Sequence, residues 1–458
     1  MRAGERSPGT ARAMDALGLA VLFAILYAAT RLAPNMKGTA SIVASLGFLL
    51  LAGTLMSQLI EVFRVPHLTG YLLAGIIAGP HVLRLIDTDS VKSLAPVNTL
   101  ALALIALAGG TELRMEQVRK GLRSLVVSNL LQTVAIIVII GGVFIAARPL
   151  LPFTAGLTFS GMCAVALLWG IIATTRSPSA TLAILAQTRA RGPLASFALA
   201  SVMISDVVVI LVLAGGMMVA RPLLEPGSTL SLAAFRALGH EIIGSVSIGT
   251  TLGMLLAAYM KVSGRQLMVV LVAVGFGATE TLHFLQFDPL LTFLVAGFVV
   301  QNLSKQGEKF LHAIEEMGGV VYVVFFAIAG ADLDIPLLRS LWPVALLLGG
   351  ARAIVTWGAQ RVSAKIARDE PVLERWAWAS LIAQAGLTQG LGGVVEREFP
   401  SFGGPLRALV IANVAINAIV GPILFKLSLD RAKETKEPSA SLSDADEVGQ
   451  SASEGGAP

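Results

Sequence analysis

One carboxylate, Asp206, stands in the stretch ASVMISDVVVIL at 200–211, where every other residue is apolar or small. At mid-helix in a membrane an uncompensated Asp costs roughly 2.5–3.5 kcal/mol on insertion scales, so it marks an ion or proton path by default. Desolvation disfavours the charged form of such a carboxylate, and a bound cation favours it. These opposed tendencies make Asp206, with Ser205 beside it, a site for which a proton and a metal ion compete. The bland alternative is a permanent ion pair with a helix-borne base. Arg352, in LLLGGARAIVTWGAQRV, is such a base, nine residues before Arg361 and again near mid-membrane. Its charge is permanent, so it can hold carbonyl ends or pair with an acid but cannot donate a transported proton.

Two apolar segments have helix-breaking centres. In LLWGIIATTRSPSATLAIL (167–185), Pro178 removes a backbone donor, and Thr174, Thr175, Arg176 and Ser177 are poor lipid-facing residues. Arg176 could cap carbonyls or reach an aqueous funnel. In SLIAQAGLTQGLGGVV (380–395), Gln384, Gly386, Thr388, Gln389 and Gly390 fill the middle. Polar and Gly-rich patches at membrane depth persist only against protein or a water-filled cavity, and half-helix ends would set partial charges near the bilayer centre. The alternative is ordinary small-residue helix packing. Asn413 and Asn417 lie on the helix equivalent to that of Asp206. Glu280 and His283 fall near the outer end of their helix, where a wetted face is the default. Glu61, Arg64, Glu112 and Asp332 belong at membrane interfaces.

The elements that must position these residues follow from composition. The 458-residue chain is 55% hydrophobic and 14% charged, against about 25% charged in soluble domains, with mean hydropathy +0.78. It is an integral membrane protein, all-α. About 13–14 apolar segments, from 17–33 to 406–427, are long enough to cross a core of roughly 30 Å, and the alternating short strands of a β-barrel are missing. The first could be a signal sequence, since Arg2, Arg6 and Arg12 precede it; without an obvious cleavage site it reads as an extra helix. One cysteine, Cys163, and five scattered histidines offer no disulfide framework and no metal cluster, so no cofactor, structural metal or redox chemistry is expected. The net charge of +5 sits in short loops rather than along a face, which argues against nucleic acid. Counted by loop, Lys and Arg put both termini inside. The polar residues from 430 onward cannot bury a core and read as a disordered tail.

The chain also repeats itself. YLLAG (71–75) is similar to FLVAG (293–297), and GTEL (110–113) to GADL (330–333), with 35 and 33 residues from the end of the first motif to the start of the second within each half. In the expected topology each pair runs in opposite directions, as in transporters built from inverted repeats with a midplane site.

Taken in order, HLTGYLLAGIIAGP, LALALIALAGGTELRMEQV, ATTRSPSATLAIL, SVMISDVVVIL and FFAIAGADLD, followed by a basic residue in the next helix, resemble the monovalent cation:proton antiporter superfamily, and within it the bacterial cation:proton antiporter-2 branch. The likeness spans 42–427. It implies the sodium/proton antiporter fold, with inverted-topology repeats and two broken crossing helices. It implies a homodimer with an elevator-like core. The parts would be an N-terminal tail and extra helix (1–38), a dimerisation domain (39–118 and 263–334), a core transport domain (119–221 and 335–429), a linker helix (222–262) and a cytoplasmic tail (430–458). Asp206 would hold the cation or proton, Thr174, Thr175, Ser177 and Pro178 would form the first crossover and Gln384 to Gln389 the second, and Arg352 would be the basic core residue. Two departures stand out: Ser205 replaces the usual Asp or Asn, and the base is Arg rather than the Lys of electrogenic members. One titratable carboxylate and one permanent charge favour electroneutral exchange of Na⁺ or K⁺ for H⁺ in the inner (plasma) membrane. A regulated potassium efflux system and a transport-inactive sensor are the alternatives. Ser, His and acid residues form no catalytic pattern, so an enzyme is not expected.

Overall fold

The computed structural model describes residues 18–21, 39–60, 65–224, 233–262, 266–285, 287–304 and 307–435. Most of the first apolar segment, the arginines before it, Glu61, Arg64 and residues 436–458 lie outside the described residues, as does the side chain of His283.

All regular structure among the described residues is helical: α1 (Thr39–Ile60), α2 (His67–Ala78), α3 (Thr88–Ser93), α4 (Ala95–Glu112), α5 (Met115–Lys120), α6 (Leu122–Ala135), a π segment (Ile136–Ile140), α7 (Gly141–Ala146), α8 (Phe159–Ile172), α9 (Pro178–Thr188), α10 (Pro193–Leu224), α11 (Ala233–Val262), α12 (Leu267–Leu285), α13 (Pro289–Leu303), α14 (Gly307–Ala331), α15 (Ile335–Ala367), α16 (Pro371–Trp376), a 3₁₀ turn (Ala377–Leu381), α17 (Gly386–Glu398) and α18 (Pro400–Ala432). Among the described residues, six helices are long and apolar enough to cross a membrane alone, or seven if the two parts of α14, bent by 54°, count as one span; shorter apolar helices accompany them. The protein is a multi-pass membrane protein.

Two differences from the sequence reading have local causes. The apolar run that opens with His67 and continues to Leu85 does not stay helical: α2 stops at Ala78, because Gly79 leaves the helix in an extended conformation (ψ 175°) just before Pro80. Residue 430 does not start the expected tail: α18 continues to Ala432, Lys433 takes a left-handed φ of 60°, and Glu434 is buried. That carboxylate accepts from the backbone N–H groups of Leu194 and Ala195, both at 2.8 Å, while the Glu434 carbonyl accepts from Arg191 N–H at 3.1 Å. It thereby satisfies donors that the first turn of α10 cannot satisfy itself.

The helices form two bundles. In one, α2 packs on α1 and α14, and α13 on α4 and α11. In the other, α10 packs on α8, α15 on α6, and α18 on α15 and α17. The inverted repeat is visible as contacts. A Cβ on Gly75 would lie 2.0 Å from the Ala327 carbonyl oxygen, and one on Gly330 would lie 2.1 Å from that of Leu72. In the second copy, Gly297 stands in the same relation to Leu107 (2.1 Å) and Gly110 to Leu294 (1.9 Å). Only glycine lets these backbones meet. The α2/α14 crossing is thus the counterpart of α13/α4, which makes α10 and α18 equivalents, and likewise the two interrupted segments.

Candidate functional site

The first interruption is built by its own side chains. Thr174 Oγ1 and Thr175 Oγ1 each donate at 2.7 Å to the carbonyls of Ile171 and Ile172, closing the last turn of α8. After an extended stretch, Ser177 caps α9 by accepting from Ala180 N–H at 3.1 Å, with Pro178 at the first helical position, where its missing N–H is no loss. The second interruption separates the Ala377–Leu381 turn from α17, whose first residue, Gly386, is exposed.

Two carbonyl ends therefore point into the bundle, and Arg352 on α15 holds both. Its Nε donates to Ala173 O at 2.6 Å, Nη2 to Thr175 O at 2.8 Å and Leu381 O at 3.1 Å, and Nη1 to Ile382 O at 2.8 Å. A fully buried guanidinium, 1% exposed, thus neutralises the negative ends of two half-helices. Of the two roles open to this base, holding carbonyls is the one observed.

The breaks are also tied to each other. Thr175 Oγ1 lies 2.8 Å from Thr388 Oγ1, and Gln384 Nε2 donates to Thr175 Oγ1 at 2.8 Å. Gln384 Oε1 accepts from Asn413 Nδ2 (3.0 Å) and Asn417 Nδ2 (2.7 Å). The two asparagines of α18 hold the second break in register. Gln389 is half-buried in the first turn of α17. Glu280 is exposed on α12, which packs chiefly on α4, so it stands apart from this arrangement.

Asp206 lies midway along α10 and is half-buried, yet its Oδ1 is buried with no hydrogen-bond partner. Ser205 Oγ is turned back to donate to Val202 O at 2.8 Å. The charged groups acting on Asp206 are Arg176, from the first break, and Asp288, the N-cap of α13. Arg176 caps neither half-helix: its Nη1 donates to Asn129 Oδ1 (2.8 Å), Ser201 Oγ (3.0 Å) and Ser201 O (3.4 Å).

Sequence reasoning missed Asn129, Ser201 and a buried polar seam between α6 and α15. There Ser128 Oγ and Gln132 Nε2 both donate to Gln360 Oε1, at 2.8 and 2.9 Å. The signal was available: Ser124, Ser128 and Gln132 recur every fourth residue in an apolar segment, facing the similarly spaced Thr356 and Gln360. A cavity of about 1240 Å³ opens between the bundles at the end bearing Arg114, Arg191 and Glu308, and reaches down to Ala200. Below it Leu182 and Met203 close against Gly109, where an added Cβ would lie 2.5 and 2.9 Å from their side chains.

The model of the sodium/hydrogen exchanger transmembrane family matches residues 46–429. The chain belongs to that family. This sodium/hydrogen exchanger has a transporter's fold, not an enzyme's, and two solved structures share it. Both are of the sodium proton antiporter MjNhaP1 from Methanocaldococcus jannaschii. One, determined at pH 8, is 16% identical, with a TM-score of 0.60 over 85% of this chain and 96% of that one. The other, from electron microscopy, is 17% identical, with a TM-score of 0.66 over 88% of this chain and 100% of that one. No curated protein matches the exchanger's sequence.

Proposed function

We propose that this exchanger is a secondary active antiporter in which Na⁺ or K⁺ and a proton compete for Asp206. The observation that carries the reading is the buried, unpartnered Oδ1 of that residue, on a helix that packs on α9 and on the Ala377–Leu381 turn, one element from each interrupted segment. An oxygen in that state is waiting for a proton or a cation. The carbonyl ends of the breaks are already taken by Arg352, and Gln384 is taken by Asn413 and Asn417, so Asp206 is the acid left to exchange. Ser205 would supply a further oxygen on rotation away from Val202. With one titratable carboxylate, the proton-loaded and cation-loaded sites carry equal charge, and exchange is electroneutral.

The two bundles suit an elevator. Residues 119–221 and 335–429 would carry the site as a core against 39–118 and 263–334, which would hold the homodimer together, with 222–262 as linker. The cavity ending at Ala200 would be the cytoplasmic funnel, in a chain set in the plasma membrane with its C-terminus inside and serving pH homeostasis.

In inverted vesicles carrying a pH-gradient dye, Na⁺ or K⁺ should dissipate the gradient. Asp206→Asn should abolish that response, at least 100-fold, while eluting at the wild-type size. Wild-type exchange by Asp206→Asn would overturn the site. Rates that scale with a clamped membrane potential would overturn electroneutrality, and a cation panel would choose between Na⁺ and K⁺.

A further inference from the structure

Arg176 is 2% exposed, and its hydrogen bonds all go to neutral acceptors on Asn129 and Ser201. Arg352 is neutralised by four carbonyls at two helix ends; Arg176 has no such compensation and no carboxylate in ion-pair contact among the described residues. A buried charge without a counter-ion is strongly destabilising, so one that is retained points to a function. Its anchor, Ser201, precedes Asp206 by five residues on α10, roughly 7.5 Å along the axis. The two charges interact, and Asp288 is the other charged group acting on that carboxylate.

We propose that Arg176 sets the cation affinity of the exchanger: it is a tethered positive charge, held off Asp206 by Asn129 and Ser201, that weakens the carboxylate's hold on the transported ion. This rests on the reading of Asp206 as the exchange site. Arg176 acts through Asp206 and touches no cargo itself. At such a separation in a partly dry interior, one unit charge alters binding by about tenfold or more. The consequence is a site that releases its cation readily into either compartment, at the expense of capture from dilute solution.

The test is the apparent KM for Na⁺, or for K⁺ if that is the cargo, in proteoliposomes of the full chain, taken at a pH high enough that raising it further no longer lowers KM, so that proton competition for Asp206 does not mask the change. Arg176→Gln should lower KM about tenfold with a smaller change in maximal rate, and Arg176→Lys, which keeps the charge, should stay within about threefold of wild type. Asn129→Ala releases the guanidinium toward Asp206 and should raise KM several-fold; it also serves if Arg176→Gln fails to fold. An unchanged or raised KM in folded Arg176→Gln overturns the inference, as does an Asn129→Ala KM equal to wild type. Exchange lost in Asp206→Asn together with either result removes this inference alone. Exchange retained in Asp206→Asn removes the site itself.

Discussion

Where a residue's charge ends up depends on which neutral groups reach it first. Arg352 spends its whole fork on backbone carbonyls, whereas Asp206 has an oxygen with nothing bound to it. Asp369, in the loop after α15, is an intermediate case outside the membrane-spanning segments. Burial pushes its carboxyl up, against the opposing effect of the Ser124 hydroxyl, which donates at 2.8 Å, and of Arg123. A carboxyl whose folded pKa is raised binds its proton more tightly in the folded state. The stability linked to it is therefore present at low pH and lost as pH rises from the ordinary value of 3.8 through the raised one. Asp369→Asn keeps an acceptor for Ser124 and removes the charge. It should raise the melting temperature slightly at pH 7 and leave it unchanged near pH 3, as read by thermal unfolding in detergent.

At the level of the element, the breaks were legible and the braces were not. Pro178 and the Gln384–Gly390 run announce interruptions because backbone without a helical partner at depth needs polar company. Asp206 stood out because one acid among eleven apolar or small residues is costly at membrane depth. Asn129 and Ser201 did not, since neutral polar side chains within a long helix satisfy themselves in many ways, and only the fold shows which ones meet. The joint between α10 and Glu434 escaped for a similar reason: a lone Glu in a polar run gives no hint of a target about 240 residues away. Glu434→Ala should leave the Leu194 and Ala195 amides without their acceptor, at about 0.5–2 kcal/mol, the usual loss for a helix cap. Hydrogen exchange should quicken in residues 194–196 and stay unchanged at the far end of α10; protection equal to wild type would mean the contact adds nothing.

For the molecule as a whole, the first bundle is closed through small residues. The repeat motifs read from the sequence are the places where backbones touch, so the resemblance of YLLAG to FLVAG reflects a shared contact. A methyl group at Gly75 or Gly297 has to displace a carbonyl 2.0 or 2.1 Å away. Gly75→Ala and Gly297→Ala should each destabilise by about 1–3 kcal/mol, the usual range for overpacking, and lower the yield of monodisperse protein. Alanine at Gly142 or Gly350, where nothing lies within 4 Å, should not.

The mirrored crossings also give the chain an internal control of a kind few proteins offer. The same substitution can be made at Gly75 and at Gly297, or at Gly330 and at Gly110, in one polypeptide, one membrane and one assay. Any difference in outcome between the twins then measures what the two copies have come to do differently since they were alike.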